Sequence, residues 1–167
     1  MGITMTKRGF LGAAAAAAGA AVLGVFAGRG SEASAEVFQV SLTPDQWRQR
    51  LSPAQFRVLR QQGTERAGSS PLNNEHRTGT YACAGCQLPV YRSQDKFESG
   101  TGWPSFIRAI PANVRTMEDN TLFSTRTEVH CRRCGGHLGH VFNDGPRPTG
   151  QRWCMNGVAL RFIPARA

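Results

Sequence analysis

The sequence predicts a mainly β domain of antiparallel sheets, cross-linked by pairs of cysteines and preceded by short N-terminal helices. Three observations support this prediction: short strand-like segments separated by turn residues, two C-x-x-C pairs, and two consecutive helix-start signals ahead of them. A mature chain of about 130 residues has room for one such domain.

Two short helices are predicted at the start of the domain. Thr43-Pro44-Asp45-Gln46 combines a capping residue, a proline suited to the first helical position and a glutamine that completes a capping box. Ser52-Pro53-Ala54-Gln55 repeats the arrangement, and Gly63 is expected to end the second helix. We expect these helices to cover one end of a sheet.

The remainder of the chain is predicted to form strands, because short β-branched and aromatic runs alternate there with turn signals such as Asp119-Asn120 and Asn156-Gly157. The predicted strands are Thr80 to Ala82, Leu88 to Arg92, Val114 to Met117, Leu122 to Val129, Leu138 to Phe142, Arg152 to Met155 and Val158 to Ile163.

Residues 1–35 are typical of a cleavable export signal. Lys7-Arg8 precedes an uncharged apolar stretch over residues 10–27, and Ala33-Ser34-Ala35 forms a small-x-small cleavage site. The alternatives are a buried Ala-rich helix or a membrane anchor, but the stretch is short and rich in glycine and alanine. The order Lys7-Arg8-x-Phe10-Leu11 resembles a twin-arginine (Tat) signal with lysine in the first place. We therefore predict a cleaved Tat-like signal over 1–35, a mature domain over 36–167 without a membrane anchor, and a bacterial periplasmic location.

The chain is basic, with a formal net charge of +9. The arginines are scattered rather than gathered in one run, so the charge predicts a solvated surface and excludes a typical nucleic-acid-binding module.

Four of the five cysteines form the pairs Cys83-Ala84-Gly85-Cys86 and Cys131-Arg132-Arg133-Cys134. Four thiolates in two such pairs are the usual set for one structural Zn²⁺, and they leave no open position for a catalytic metal. Redox dithiols or disulfides formed after export are the alternatives, but no βαβ pattern surrounds either pair. The pairs are 44 residues apart, so the metal would join hairpins distant in the chain.

Cys154 is the cysteine that this metal site does not use. A lone cysteine in a strand is often a small buried apolar residue. However, Arg152 could favour its thiolate, and the nearby His137-Leu138-Gly139-His140 segment offers acid–base groups. Three residues apart, the two histidines are expected to point to opposite faces of their strand.

Four segments resemble the B-type methionine sulfoxide reductases. They are residues 79–86 (GTYACAGC), 96–106 (KFESGTGWPSF), 137–146 (HLGHVFNDGP) and 152–156 (RWCMN). The resemblance runs from about residue 41 to 164, and it implies a β-tent-like fold with a structural four-cysteine zinc site.

The resemblance also implies an activity and a site. Cys154 would attack the sulfur of a peptide-bound methionine (R)-sulfoxide, releasing methionine and leaving a sulfenic acid. His140 is the expected proton donor, with His137, Asp144 and Asn156 placing it or the substrate. Trp103 is expected to form the wall for the substrate S-methyl group. Phe106 and Arg152 complete the predicted substrate site.

Three departures from the family pattern affect the site. Trp153 replaces the usual Tyr or Phe, Gly157 replaces a common Ser and is expected to loosen the turn, and Thr101 occupies the place of the resolving cysteine found in many members. Without that cysteine, the sulfenic acid of Cys154 would need an external thioredoxin-like thiol, and no intramolecular disulfide is expected.

We expect a monomer that acts on oxidised proteins or peptides. The alternative is a zinc-stabilised β-fold that binds a ligand through Trp103 and Trp153 without catalysis.

Overall fold

The computed structural model describes residues 36–121 and 124–166, and the predicted export signal lies outside these residues. The α-helices are Pro44–Arg50 (α1) and Pro53–Gln61 (α2). The strands are Gly79–Cys83 (β1), Pro89–Arg92 (β2), Lys96–Phe97 (β3), Ser105–Phe106 (β4), Val114–Asp119 (β5), Arg126–Cys131 (β6), His137–Phe142 (β7), Arg152–Met155 (β8) and Leu160–Pro164 (β9). The prediction of a mainly β fold with short N-terminal helices is confirmed.

Both helices begin at the predicted caps. The side chains of Thr43 and Ser52 each accept a hydrogen bond from the backbone of a glutamine three residues on, which in turn accepts one from the cap backbone. These reciprocal bonds satisfy N–H groups that lack partners at a helix start. The second helix ends before Gly63, because Gln62 already takes the left-handed conformation with φ of 53°.

The strands form two antiparallel sheets. One has three strands in the order β2-β1-β9, and the other has six in the order β3-β4-β8-β7-β6-β5. The larger sheet brings β7 and β8 side by side, with β4 on the far side of β8. This order places the two motif segments of the C-terminal half on adjacent strands.

Several strand limits differ from the prediction. Strands β3 and β4 were missed because each has two residues, too few for a period-2 pattern. Strand β6 begins at Arg126 rather than Leu122, which lies outside the described residues. The last strand begins at Leu160, because residues 157–159 form a 3₁₀ turn.

Side chains of both sheets and of α2 form one buried cluster. Tyr91 of the small sheet stacks on Phe106 of the large one, with ring centroids 4.3 Å apart. Its hydroxyl donates to the sulfur of Met155, 2.9 Å away, and burial raises the pKa of Tyr91 well above its usual value. The core therefore holds β4 and β8, and with them Cys154, against the small sheet.

Among the described residues, no helix is both long enough and apolar enough to cross a membrane.

Candidate active site and metal centre

The two C-x-x-C pairs converge on one point. The sulfur atoms of Cys83, Cys86, Cys131 and Cys134 all lie within 4.8 Å of one another. Cys83 Sγ is 3.7 Å from Cys134 Sγ, and Cys86 Sγ is 3.4 Å from Cys131 Sγ. These separations far exceed a disulfide bond of about 2.05 Å and approach the edge of about 3.8 Å expected for four sulfurs tetrahedrally bonded to Zn²⁺ at 2.3 Å. The four thiols therefore fit a closed tetrahedral metal site.

The local chain geometry of the two pairs is alike. Within the first pair's turn, Cys83 N–H donates to the carbonyl of Leu88, and within the second, Cys131 N–H donates to that of Gly136. Gly135 takes a left-handed φ of 65°, and a Cβ there would also collide with the ring of Phe38. This position therefore requires glycine.

Cys154 lies in the middle of β8, which has β4 on one side and β7 on the other. In the sheet register it pairs with Ser105 of β4 and with His140 of β7. Its side chain is half-buried rather than part of the core. The close approach of β7 and β8 depends on Gly139, since a Cβ there would lie 2.2 Å from the carbonyl oxygen of Cys154.

A pocket of about 120 Å³ opens above Cys154. It is lined by Thr64, Trp103, Gly139, His140, Phe142, Cys154 and Asn156. Its wall is mostly apolar, and a thiol and an imidazole reach it from adjacent strands. Such a pocket suits a small apolar group beside a reactive polar one. Four larger cavities lie elsewhere in the described part of the chain, and Cys154 does not line these four.

Trp103 stands in the pocket wall, where the sequence-based interpretation puts it. Its indole N–H donates to the backbone carbonyl of Glu65, 3.1 Å away. The backbone N–H of Glu65 donates to the side chain of Asn156, and its buried carboxylate accepts from the backbone N–H groups of Gly157 and Val158. Glu65 therefore connects the Trp103 wall to the turn that follows Cys154.

Asn156 is buried and also lines the pocket. Its amide donates to the carbonyl of Leu138 at 3.2 Å. The following Gly157 was expected to loosen the turn, and its backbone N–H donates to the buried carboxylate of Glu65. It is buried, and a Cβ there would lie 1.9 Å from the hydroxyl oxygen of Ser70. In this chain the Ser70 side chain occupies the space that a larger residue would need.

His140 contacts a carboxylate that the sequence analysis did not select. Its Nε2 lies 2.7 Å from Oδ2 of Asp119, at the end of β5. Burial lowers the pKa of His140, and the hydrogen bond with Asp119 partly opposes that effect. The imidazole is therefore neutral in the resting protein at neutral pH.

The expectation that the two histidines point to opposite faces is wrong. Their rings lie edge to face with centroids 5.3 Å apart. The cause is a β-bulge: Val129 pairs with Gly139 and His130 with His137, so Leu138 is an extra residue in β7. One extra residue between two histidines brings both to the same face. Sequence spacing alone does not reveal such a bulge.

His137 is buried beside His140 and does not line the pocket. Its Nδ1 is 2.7 Å from the carboxylate of Glu128, and both side chains are buried. Glu128 also accepts a hydrogen bond from Gln62 at 3.3 Å. Burial is the largest single influence and raises the pKa of Glu128. The hydrogen bond with His137 and attraction to the nearby histidines together outweigh it, so the pKa is lowered.

Phe106 and Asp144 do not lie where the sequence-based interpretation placed them. Phe106 is fully buried in the core against Tyr91 and does not line the pocket. Asp144 is exposed and accepts two hydrogen bonds from Arg152, at 2.9 and 2.8 Å, rather than contacting His140. Strand alternation explains Phe106, because Ser105 and Phe106 point to opposite faces of β4.

Arg152 is held near Cys154 but outside the pocket wall. Its guanidinium stacks over the ring of Phe142, 4.3 Å from the ring centroid. The hydrogen bond with Asp144 chiefly raises the pKa of Arg152, and attraction to Cys154 adds to it. Arg152 therefore stays positively charged beside the thiol.

Thr101 lies next to Cys154, with its hydroxyl oxygen 3.8 Å from the sulfur. This hydroxyl contacts that of Ser99 at 2.8 Å, which contacts that of Ser105 at 2.7 Å. A chain of hydroxyl groups thus occupies the side of Cys154 where the family resemblance places a resolving cysteine in other members.

Asp119 and Glu128 are the site residues that sequence reasoning missed. Asp119 was noted only as a turn signal and Glu128 only as part of a strand. The pairing of β5, β6 and β7 brings both to the histidines, and a register assigned to those hairpins is the signal that would have found them.

Comparison with known proteins agrees with this arrangement. The SelR domain model matches residues 51–164. The chain is 50% identical over 129 residues to the "Peptide methionine sulfoxide reductase MsrB" of Leifsonia xyli subsp. xyli, covering 76% of this chain and 93% of that protein. It is 53% identical over 123 residues to the protein of the same name from Thiobacillus denitrificans, covering 73% and 93%.

A plant relative is similar as well. The chain is 48% identical over 123 residues to "Peptide methionine sulfoxide reductase B1, chloroplastic" of Arabidopsis thaliana, covering 73% of this chain and 61% of that protein.

The fold and the thiol–imidazole pocket define a thiol-dependent enzyme class. Within that class, the chain belongs to the SelR-domain family of B-type peptide methionine sulfoxide reductases.

Proposed function

We propose that this protein reduces methionine (R)-sulfoxide in proteins and peptides to methionine, with Cys154 as the attacking thiol. The observation that carries the proposal is the pocket in which the Cys154 thiol, the His140 imidazole and the Trp103 ring meet. The match to the SelR domain and to proteins named as peptide methionine sulfoxide reductases supports the reaction class. The ligand-binding alternative is not favoured, because it gives no role to a thiol paired with an imidazole.

The reaction begins with proton transfer within this pair. The ionised carboxylate of Asp119 accepts from His140 Nε2–H. Nδ1 is then the basic nitrogen of the ring, and it is proposed to take the thiol proton of Cys154. The thiolate attacks the sulfoxide sulfur, and the resulting imidazolium donates its proton to the sulfoxide oxygen. That oxygen passes to Cys154, so methionine is released and the cysteine becomes a sulfenic acid.

The substrate is held by the walls of the pocket. The S-methyl group lies against the Trp103 ring and Phe142, and the polar sulfoxide oxygen faces His140. Asn156 and Glu65 keep these walls in place through the hydrogen bonds that join the two sides. The pocket admits a side-chain tip, which suits methionine sulfoxide exposed on a larger polypeptide.

Regeneration requires two external thiols. The first attacks the sulfur of Cys154 and displaces water, forming a mixed disulfide. The second releases the Cys154 thiol and leaves an oxidised dithiol. A thioredoxin-like protein is the expected donor, because Thr101 stands beside Cys154 where a resolving cysteine would otherwise lie. We further propose that the enzyme acts as a monomer.

The four-cysteine cluster is proposed to hold one structural Zn²⁺. Cys83, Cys86, Cys131 and Cys134 would be its ligands, and all four positions would be filled by protein. When bound, the ion supplies a cross-link rather than a reactive centre. Its residues lie in turns joined to β1 and β6, and β6 carries Glu128 towards His137.

Export to a bacterial periplasm through residues 1–35 is also proposed, from the signal-like pattern described above. Expression of the full chain in a bacterium, followed by N-terminal sequencing of periplasmic protein, tests it. A mature N-terminus at Glu36 supports the proposal, and retention of the full-length chain in the cytoplasm contradicts it.

The activity is tested with dabsylated methionine sulfoxide, each epimer separately, and dithiothreitol as reductant. The wild-type protein is expected to reduce the R epimer only, and Cys154→Ser is expected to abolish turnover. Gln94→Ala, a substitution away from the pocket, serves as the matched control and should retain activity. Lack of turnover by folded wild-type protein would refute the proposed function.

A further inference from the structure

Asp119 lies on β5, and its side chain extends across β6 to His140 on β7. It lies on β5 opposite Arg126 of β6, whereas His140 on β7 lies opposite Glu128 of β6. Arg126 and Glu128 share one face of β6 because side chains alternate along a strand. Asp119 and His140 therefore meet diagonally on that face, which is also the face of Cys154.

The carboxylate of Asp119 accepts four hydrogen bonds. Its Oδ1 accepts from the backbone N–H and the hydroxyl of Thr121, at 3.0 and 2.6 Å. Its Oδ2 accepts from Arg126 at 2.6 Å and from His140 at 2.7 Å. The hydrogen bonds with Thr121, together with those from His140 and Arg126, hold the pKa of Asp119 well below its usual range. The group is therefore an ionised, fixed acceptor at neutral pH.

An ionised carboxylate cannot donate, so the proton between these two atoms belongs to His140 Nε2. A neutral imidazole carries one proton, which leaves Nδ1 as its basic nitrogen. We propose that Asp119 is a positioning residue that holds His140 in the Nε2–H tautomer and compensates the positive charge that His140 acquires when it takes a proton. This inference deepens the proposed function and rests on it, since it assigns how the acid–base group of that reaction is prepared.

The charges around His140 agree with this role. It faces Asp119 from β5, Arg126 and Glu128 from β6, His137 on its own strand and Cys154 from β8. Burial is the main cause that lowers the pKa of His140, and Arg126 and His137 lower it further. Asp119 opposes these effects directly. Without that carboxylate, the imidazolium would be harder to form in the half-buried pocket.

Asp144 does not take this role, although it follows His140 closely in the sequence. Its two oxygens are bonded to Arg152, and its side chain is 62% exposed. The Asp119 side chain is 12% exposed. A carboxylate sheltered from water interacts more strongly with a neighbouring imidazolium than one that is solvated.

A double-mutant cycle tests the inference kinetically. Asp119→Asn keeps a side-chain oxygen but removes the charge. We expect kcat to fall by up to about a hundredfold, the lower end of the roughly 10²–10⁴-fold that a positioned acid–base group contributes, because His140 itself remains. If Asp119 acts through His140, adding Asp119→Asn to His140→Gln costs no further activity. Multiplicative losses would overturn the inference. Asp95→Asn is the matched control, because it removes a buried carboxylate paired with Arg108 outside the pocket.

The tautomer provides a readout that needs neither substrate nor turnover. In wild-type protein labelled with ¹⁵N-histidine at neutral pH, the His140 ring is expected to show a protonated Nε2 and an unprotonated Nδ1. In Asp119→Asn that preference is expected to weaken. A protonated Nδ1 with unprotonated Nε2 in wild type would overturn the inference. Lack of reductase activity in wild type would instead refute the proposed function and leave the tautomer result standing.

Discussion

Removal of the metal from the four-cysteine cluster is expected to destabilise the whole domain. The perturbation is either chelation under reducing conditions or the single substitution Cys86→Ser, which replaces one ligand with a poor one. The cluster joins turns far apart in the chain: Cys86 and Cys131 are separated by 45 positions, and Cys83 and Cys134 by 51. Losing this cross-link frees a long loop in the unfolded chain.

The magnitude follows from the length of that loop. Closing a loop of about 45 residues lowers the entropy of the unfolded chain by an amount worth about 4 kcal/mol at 25 °C. Small domains have unfolding free energies of about 5–15 kcal/mol, so the loss is a large fraction of the total. With a urea dependence of about 2 kcal/mol per molar, the midpoint of unfolding should fall by about 2 M.

Urea titration followed by tryptophan fluorescence measures this change, because Trp47 is buried close to Gly85 of the first cysteine pair. Metal content is measured in parallel by mass spectrometry, with one zinc per chain expected in the untreated protein. Cys154→Ser is the control, and it should keep both the metal and a midpoint close to that of wild type. Equal midpoints for metal-loaded and chelated protein would refute the argument from loop closure.

Four further outcomes are expected. Thr101→Cys should form a disulfide with Cys154 after one turnover without added thiol, because the two side chains are already adjacent; peptide mapping that finds two free thiols would contradict this. Trp103→Ala should raise KM more than it lowers kcat in steady-state assays, since it removes a wall of the pocket. Gly139→Ala should destabilise the protein by about 1–3 kcal/mol in urea titration, because its Cβ collides with the Cys154 carbonyl. Burial lowers the pKa of His140, so kcat/KM should stay level at neutral pH. As the pH is lowered, kcat/KM should fall only below the usual histidine range, where acid protonates this base. A decline that already begins above that range would contradict the assignment.

Much of the fold could be predicted from local patterns. The capping boxes at Thr43 and Ser52 act within four residues, so both helix starts are readable from the chain. The short β-branched and aromatic segments between turn signals predicted most of the strands. Strands β3 and β4 escaped because they are held only by pairing with neighbours, including the pairing of Ser105 with Cys154.

Some residues of the candidate site were likewise predictable from local sequence patterns, and others were not. The metal ligands and Cys154 were identified by residue type, spacing and family resemblance, which do not depend on register. The partner of His140 was not identified from the sequence. Asp119 is 21 positions away, and only the pairing of two successive hairpins brings it to His140. The family resemblance implied Asp144 as a residue that places His140 or the substrate, whereas strand pairing determines that Asp119 is the carboxylate that meets the ring.

The sequence by itself determined the family, the β class, the helix starts and the chemical identity of the thiols, since each is carried by short motifs whose physics is local. Only the tertiary structure decided how the acid–base groups are arranged. A bulge of one residue at Leu138 brings His137 and His140 to one face, and the register of β5 on β6 brings Asp119 to His140. These features depend on hydrogen bonds between segments distant in the chain, and a shift of one residue in such pairing would turn every side chain to the other face.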